Sequence, residues 1–90
     1  MRFLWNHSKI SYGQRVPVTN PDRSTRRAYP VTYDGGAVAG WVARADSYFD
    51  GWAYLPAGRE GAAWIAGFDA RADAADQLLS YQSPQAAWLS

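Results

Sequence analysis

Apolar residues along this 90-residue chain fall into short clusters with strand character until late in the sequence, where the period changes. In WIAGFDARADAADQLL, from Trp64 to Leu79, the first five residues are strand-like, whereas Ala72, Ala75, Leu78 and Leu79 recur at helical spacing. The pattern predicts a strand that hands over to a helix at Phe68-Asp69, with the helix running from about Ala70 to Tyr81. Asp69 is placed to cap that helix and Asp73 to sit favourably at the positive end of its dipole. Ser83-Pro84 is expected to stop it, because proline biases its predecessor away from helical angles.

Upstream, the clusters Phe3-Leu4-Trp5, Ile10-Tyr12 and Val16-Val18 suit short strands or an extended arm over residues 1–20, since Val, Ile and Tyr favour pleated surfaces. Thr19 to Arg27 (TNPDRSTRR) has no apolar residue and is expected to be a polar, basic loop with freedom to move. AYPVTY then gives a strand that Pro30 should restrict to an edge or a strand start. Asp34-Gly35-Gly36 signals a tight hairpin turn. AVAGWVARA follows as a strand with Val38 and Val42 on one face and Ala39, Trp41 and Ala43 on the other, Gly40 marking a bulge or a close contact. After a loop at 46–50 come GWAYL and, beyond the Pro56 to Gly61 connection, AAWIAGF, with Trp64, Ala66 and Phe68 opposed to Ala63 and Ile65. The expected architecture is α+β, an antiparallel β-meander of three to five strands packed against one C-terminal α-helix. It forms a single small domain of residues 1–90, with sheet and helix over 28–82 and a tail over 83–90 in which Trp88 and Leu89 dock.

Composition narrows this further. Cysteine is absent, which excludes a disulfide framework, a thiolate nucleophile and any cysteine-bearing zinc site. Five Trp, six Tyr and three Phe supply the packing material instead. No apolar run reaches about 18 residues, and MRFLWNHSKI is interrupted too early to form a signal-peptide core, so a soluble, cytoplasmic protein without a membrane partner is expected. The net charge of +1 hides an asymmetry. Up to Tyr33 there are six basic residues (Arg2, Lys9, Arg15, Arg23, Arg26, Arg27) against Asp22 alone, and from Asp34 onward three arginines against seven acids. That imbalance either neutralises across the fold or marks an acidic partner for the first half.

Gly40-Trp41-Val42, Trp52-Ala53, Trp64-Ile65-Ala66-Gly67-Phe68 and Asp73-Ala74-Ala75 together resemble the AP2-type DNA-binding domain and the related arm-binding domains of phage integrases, over about Val38 to Leu79. The resemblance implies a three-stranded sheet backed by a helix, and a DNA interface built from arginines on the sheet strands. GWAYL and AAWIAGF carry no basic residue, and the glycine and phenylalanine at the strand end depart from the family's Gly-x-Phe order. Only Arg44, with Arg59 in the turn, falls near a family arginine position.

Catalytic material is sparse. His7 is the sole histidine and, in a polar turn, reads as a solvated side chain. Asp34, Asp46 and Asp50 sit where aspartate is favoured for local backbone hydrogen bonding. No phosphate-cradling glycine spacing occurs. The chain therefore reads as a non-enzymatic binding module without a metal or small-molecule cofactor. If Ala53, Leu55 and Ile65 face the helix, then Trp52, Tyr54 and Trp64, joined by Trp41, form the opposite face. There they are either covered by Phe3-Leu4-Trp5 and Ile10-Tyr12 or used for binding. The reverse register, with the aromatics toward the helix, stays open. Two function classes follow. In one, Trp41, Trp52, Tyr54 and Trp64 dock on a host protein or a second copy, as befits small cysteine-free proteins of phages and mobile elements. In the other, Arg15, Arg23, Arg26 and Arg27, with Arg44, contact the phosphates of double-stranded DNA. Near-neutral charge and missing strand arginines rank the first ahead.

Overall fold

In the computed structural model, residues 5–44 and 51–82 are described. The architecture is α+β: a six-stranded antiparallel sheet carries one C-terminal helix on a single face. A 3-10 turn (His7–Lys9) leads into β1 (Ile10–Tyr12), followed by β2 (Val16–Thr19), β3 (Thr25–Tyr33), β4 (Gly40–Arg44), β5 (Trp52–Pro56), β6 (Ile65–Phe68) and α1 (Arg71–Gln82). The order is β1-β3-β4-β5-β6, with β2 also paired to β3. Strands β3 to β6 are thus the expected meander.

Pairings Tyr12↔Val31 and Val16↔Ala28 set four steps along one strand against three along its partner. β1 and β2 therefore act as one strand carrying an extra residue at Gly13-Gln14-Arg15, a bulge. This bulge accounts for Pro30, which lies in the interior strand β3 rather than at an edge or a strand start. The Pro30 carbonyl accepts a hydrogen bond from Gly13 N–H at 2.9 Å. A residue's nitrogen and oxygen point to the same edge of a strand, so the missing N–H faces the bulge, where the ladder is already interrupted.

The expected loop over Thr19 to Arg27 is instead part of the β2–β3 hairpin, in which Val18 pairs with Arg26 and Thr19 with Thr25. Its tip is closed by Asn20 N–H to Ser24 O at 2.8 Å and by Arg23, which takes a left-handed φ of 72°. The turn after β3 is of the hairpin kind anticipated: Asp34 and Gly35 have φ of 52° and 74°, and Gly36 N–H returns to Tyr33 O at 3.0 Å.

Val31, Val42 and Tyr54 line the helix side of the sheet and meet Ala74, Ala75 and Leu78. Ala43 and Leu55 line the other side with Val18 and Ala28, under Trp41, Ala62 and Trp64. The register left open from sequence is hence the one with Trp52 and Tyr54 toward the helix and with Leu55 away from it. Trp64 and Trp41 lie on the far side. That side is covered by the bent β2–β3 hairpin and the 57–64 connection, tied together by Trp64 Nε1–H to Asn20 Oδ1 at 2.9 Å. A second bulge, between Trp52 and Ala53, pairs Trp52 with Phe68 but Ala53 with Ala66. It returns Phe68 to the helix side with Ile65, where simple alternation had opposed them.

Trp5 does not cover the far face. It packs edge-on against Tyr33, with ring centroids 4.9 Å apart, and clasps the helix. Its backbone N–H donates to Asp76 Oδ1 at 3.1 Å and its indole N–H to Ser80 Oγ at 2.9 Å. His7 joins the clasp with Nε2 3.2 Å from the same carboxylate, so it is a structural partner rather than a solvated side chain. Phe3, Leu4, Asp46, Asp50, Ser83-Pro84, Trp88 and Leu89 lie outside the described residues. Asp69 is exposed, and Ala70 rather than Asp69 immediately precedes the helix, its carbonyl accepting from Asp73 N–H at 3.1 Å and Ala74 N–H at 3.2 Å.

At Gly40 the neighbouring strand and the helix leave no room for a side chain. A Cβ there would collide with the Leu55 carbonyl oxygen and stand 2.8 Å from Leu78 Cδ1. Gly40→Ala should therefore cost about 1 to 3 kcal/mol through overpacking. A urea midpoint unchanged from the parent would show that helix and strand can separate freely.

Candidate functional site

The candidate site lies on the helix side of the sheet, at the end where α1 begins. Tyr12 opposes Val31, and Tyr29 opposes Val42, which in turn opposes Tyr54, so all of these rings share the face that carries the helix. Arg44 and Trp52 are paired at the adjoining ends of β4 and β5. The bulge at 13–15 allows Arg15 to turn toward this face while Val16 and Val18 point to the other. Arg71 is the first residue of α1.

Three guanidiniums converge on three rings. Arg71 lies over Tyr12 at 3.9 Å from its centroid and 5.2 Å from that of Tyr29. Arg15 approaches Tyr29 at 5.8 Å, and Arg44 approaches Trp52 at 5.6 Å. The Tyr29 and Trp52 rings stand 6.2 Å apart, joining the cluster into one platform. Each such contact contributes about 0.5 to 1 kcal/mol and restricts a side chain that would otherwise sample many rotamers. His7 contacts a carboxylate, that of Asp76, at 3.2 Å. The three arginines rest on rings rather than carboxylates, although Asp69 and Asp73 are near Arg71 in sequence.

The Tyr12 phenol does not neutralise them. Burial raises its pKa above the usual value of 10.0, and the adjacent Arg71 charge only partly opposes that rise. Tyr54 is raised likewise by burial, with Tyr81 adding to the effect. Both raised values favour the folded state at neutral pH, a contribution fully present below pH 10 and lost as pH climbs through the folded values. Absorbance titration of the phenols should show a late-ionising set, with stability falling alongside it. Ionisation of every tyrosine in the ordinary range would refute the burial of these two.

The residues singled out from sequence are only partly united. Arg15 and Arg44 belong to the platform with Trp52. Tyr54 is buried beside Phe68, their centroids 5.6 Å apart, and serves as core. Arg26 lies over Trp64 at 5.4 Å on the far face, together with half-buried Trp41. Arg23 sits at the hairpin tip, and Arg27 is exposed on the strand face that carries Tyr29. Tyr12, Tyr29 and Arg71 were not anticipated. Their nearest sequence signals were a tyrosine ending one apolar cluster, a tyrosine before a proline, and an arginine at the start of the expected helix. No known family, curated protein or solved structure matches the chain. Among the described residues there is no group of three or more His, Asp or Glu side chains able to hold a metal ion, and no helix long and apolar enough to cross a membrane.

Proposed function

We propose that this protein is a non-enzymatic binding module that grips the phosphates of double-stranded DNA through Arg15, Arg44 and Arg71. The observation that carries the reading is the convergence of three guanidiniums on Tyr12, Tyr29 and Trp52 with no carboxylate partner among the described residues. Ring-backed arginines keep outward N–H donors available and already ordered, as phosphate contact requires. Arg27, exposed on the neighbouring stretch of β3, extends the basic surface. The DNA-binding expectation attached to the AP2-type resemblance is kept here but moved. The sheet face away from the helix is occupied by the hairpin and the 57–64 connection, so the contact runs along one end of the molecule and reads backbone rather than bases.

A second reading is an acidic surface on a host protein, favoured by the platform's composition of Trp, Tyr and Arg, the residues that dominate protein hot spots. Titration of a labelled mixed-sequence duplex at low salt tests the first. Binding with little sequence preference and a steep salt dependence supports it. Absence of binding at low salt, with retention of an acidic protein that is lost on Arg44→Ala, replaces it with the second.

A further inference from the structure

We infer that the hollow beside the end of α1 is a binding site for a free small-molecule carboxylic acid with one compact apolar tail. The site is independent of the arginine platform, because Arg71 begins α1 and Tyr81 lies near its other end, about 15 Å away along the axis. Buried Leu55 and Pro56 form the floor of the hollow, and Ala62, Ala63 and Ile65 form its walls. Its volume, counted to the open mouth, is about 300 Å³, the lower end of the range that small-molecule sites occupy. It suits a single compact group.

The mouth supplies the charge that names the ligand. Arg59, in the 57–64 connection, donates from Nη1 to the Tyr81 phenol oxygen at 3.0 Å, and no carboxylate pairs with it among the described residues. Glu60, its neighbour in sequence, turns back to accept from Gly58 N–H at 3.3 Å. Because the phenol oxygen accepts from Arg59, its own hydrogen is left to donate outward, and the guanidinium beside it keeps further N–H donors. Two donors thus stand side by side, matching the two oxygens of a carboxylate. Apolar walls below that pair favour an acid with an apolar tail over a bare anion. The same frame argues for a free acid rather than the end of a polypeptide. The backbone N–H groups of Ala57, Arg59, Gly61 and Ala62 are already taken by Ala39 O, Pro56 O, Thr19 O and Arg59 O, and Pro56 has no N–H. A docking chain finds few main-chain partners here, whereas a free acid needs none.

Titration of the isotope-labelled full chain with phenylacetate to about 10 mM, followed by methyl and amide NMR, tests it. Signals of Leu55, Ala62, Ala63 and Ile65 should shift saturably, with half-saturation at about 1 mM or below. Phenylacetamide has the same shape without the charge and should bind at least about tenfold more weakly. Arg59→Gln should weaken phenylacetate to a similar extent, and Tyr81→Phe by about fivefold, each keeping the parent's far-UV circular dichroism. The Arg15→Ala, Arg44→Ala, Arg71→Ala variant should bind phenylacetate as the parent does, so this site and the DNA reading stand or fall separately. No saturable shift by about 10 mM, equal binding of acid and amide, or full binding by a folded Arg59→Gln variant overturns the inference. Shifts confined to Tyr12, Tyr29 and Trp52, or tighter binding of a peptide ending in Ala-Leu than of phenylacetate, also overturn it.

Discussion

Replacing Asp76 with alanine should destabilise the protein by about 3 to 5 kcal/mol, the range seen when one member of a buried charged network is deleted. The Asp76 side chain is almost fully enclosed, at 2% exposure for the residue, and one of its oxygens serves both the Trp5 backbone N–H and the His7 ring. Deletion leaves a buried backbone donor without an acceptor and loosens Trp5, whose indole bond to Ser80 then lacks its neighbour. Asp76→Asn keeps the shape and one acceptor, so it should cost less, about 1 kcal/mol for each bond weakened from charged to neutral. His7→Ala should cost least, because the Trp5 bond survives it and the imidazole is partly exposed. Urea unfolding of the three variants should return that order. An Asp76→Ala variant within 1 kcal/mol of the parent would mean that the clasp is decorative.

The triple replacement Arg15→Ala, Arg44→Ala and Arg71→Ala should remove most DNA affinity while leaving the fold intact. Each lost duplex phosphate contact flattens the slope of log affinity against log salt by about 0.9, so three contacts account for about 2.7. Raising salt from about 50 to about 200 mM should therefore weaken the parent about 40-fold more than it weakens the triple variant. Arg23→Ala with Arg26→Ala offers the control, since Arg23 stands at the hairpin tip and Arg26 lies over Trp64 on the opposite face. The slopes are read by anisotropy titration at several salt concentrations, with melting temperature checked in parallel. Equal slopes for parent and triple variant would place the phosphate contacts elsewhere, and a larger effect from the Arg23, Arg26 pair would place them on the hairpin.

Local signals carried the elements further than they carried the faces. The helix spans Arg71–Gln82 against an expectation of about Ala70 to Tyr81, because spacing of Ala and Leu is a property of the segment itself. The meander was legible for the same reason, since glycine and aspartate announce turns. What failed was alternation across bulges. One extra residue near Gly13 and another near Gly67 each shift the chain by one position, and each shift moves side chains to the opposite face. No local pattern announces a bulge in a strand whose partner is unknown. Asp76 was invisible for a related reason: in a helix it reads as one more polar position, and its partners lie 69 and 71 residues away. The arginine platform gathers residues from β1 to α1 and could only be seen once the register was known.

The clasp also fixes an order of events during synthesis. Trp5 is made well before its two hydrogen-bond partners on the helix, Asp76 and Ser80, which follow it by 71 and 75 positions. A nascent chain therefore holds Trp5 without these partners until α1 has been made, and contacts of such long sequence separation are slow to form. The β3–β6 meander can assemble while the chain is still growing, but the segment around Trp5 cannot settle until α1 has emerged. A segment translated before the whole sheet thus reaches its native place only after it.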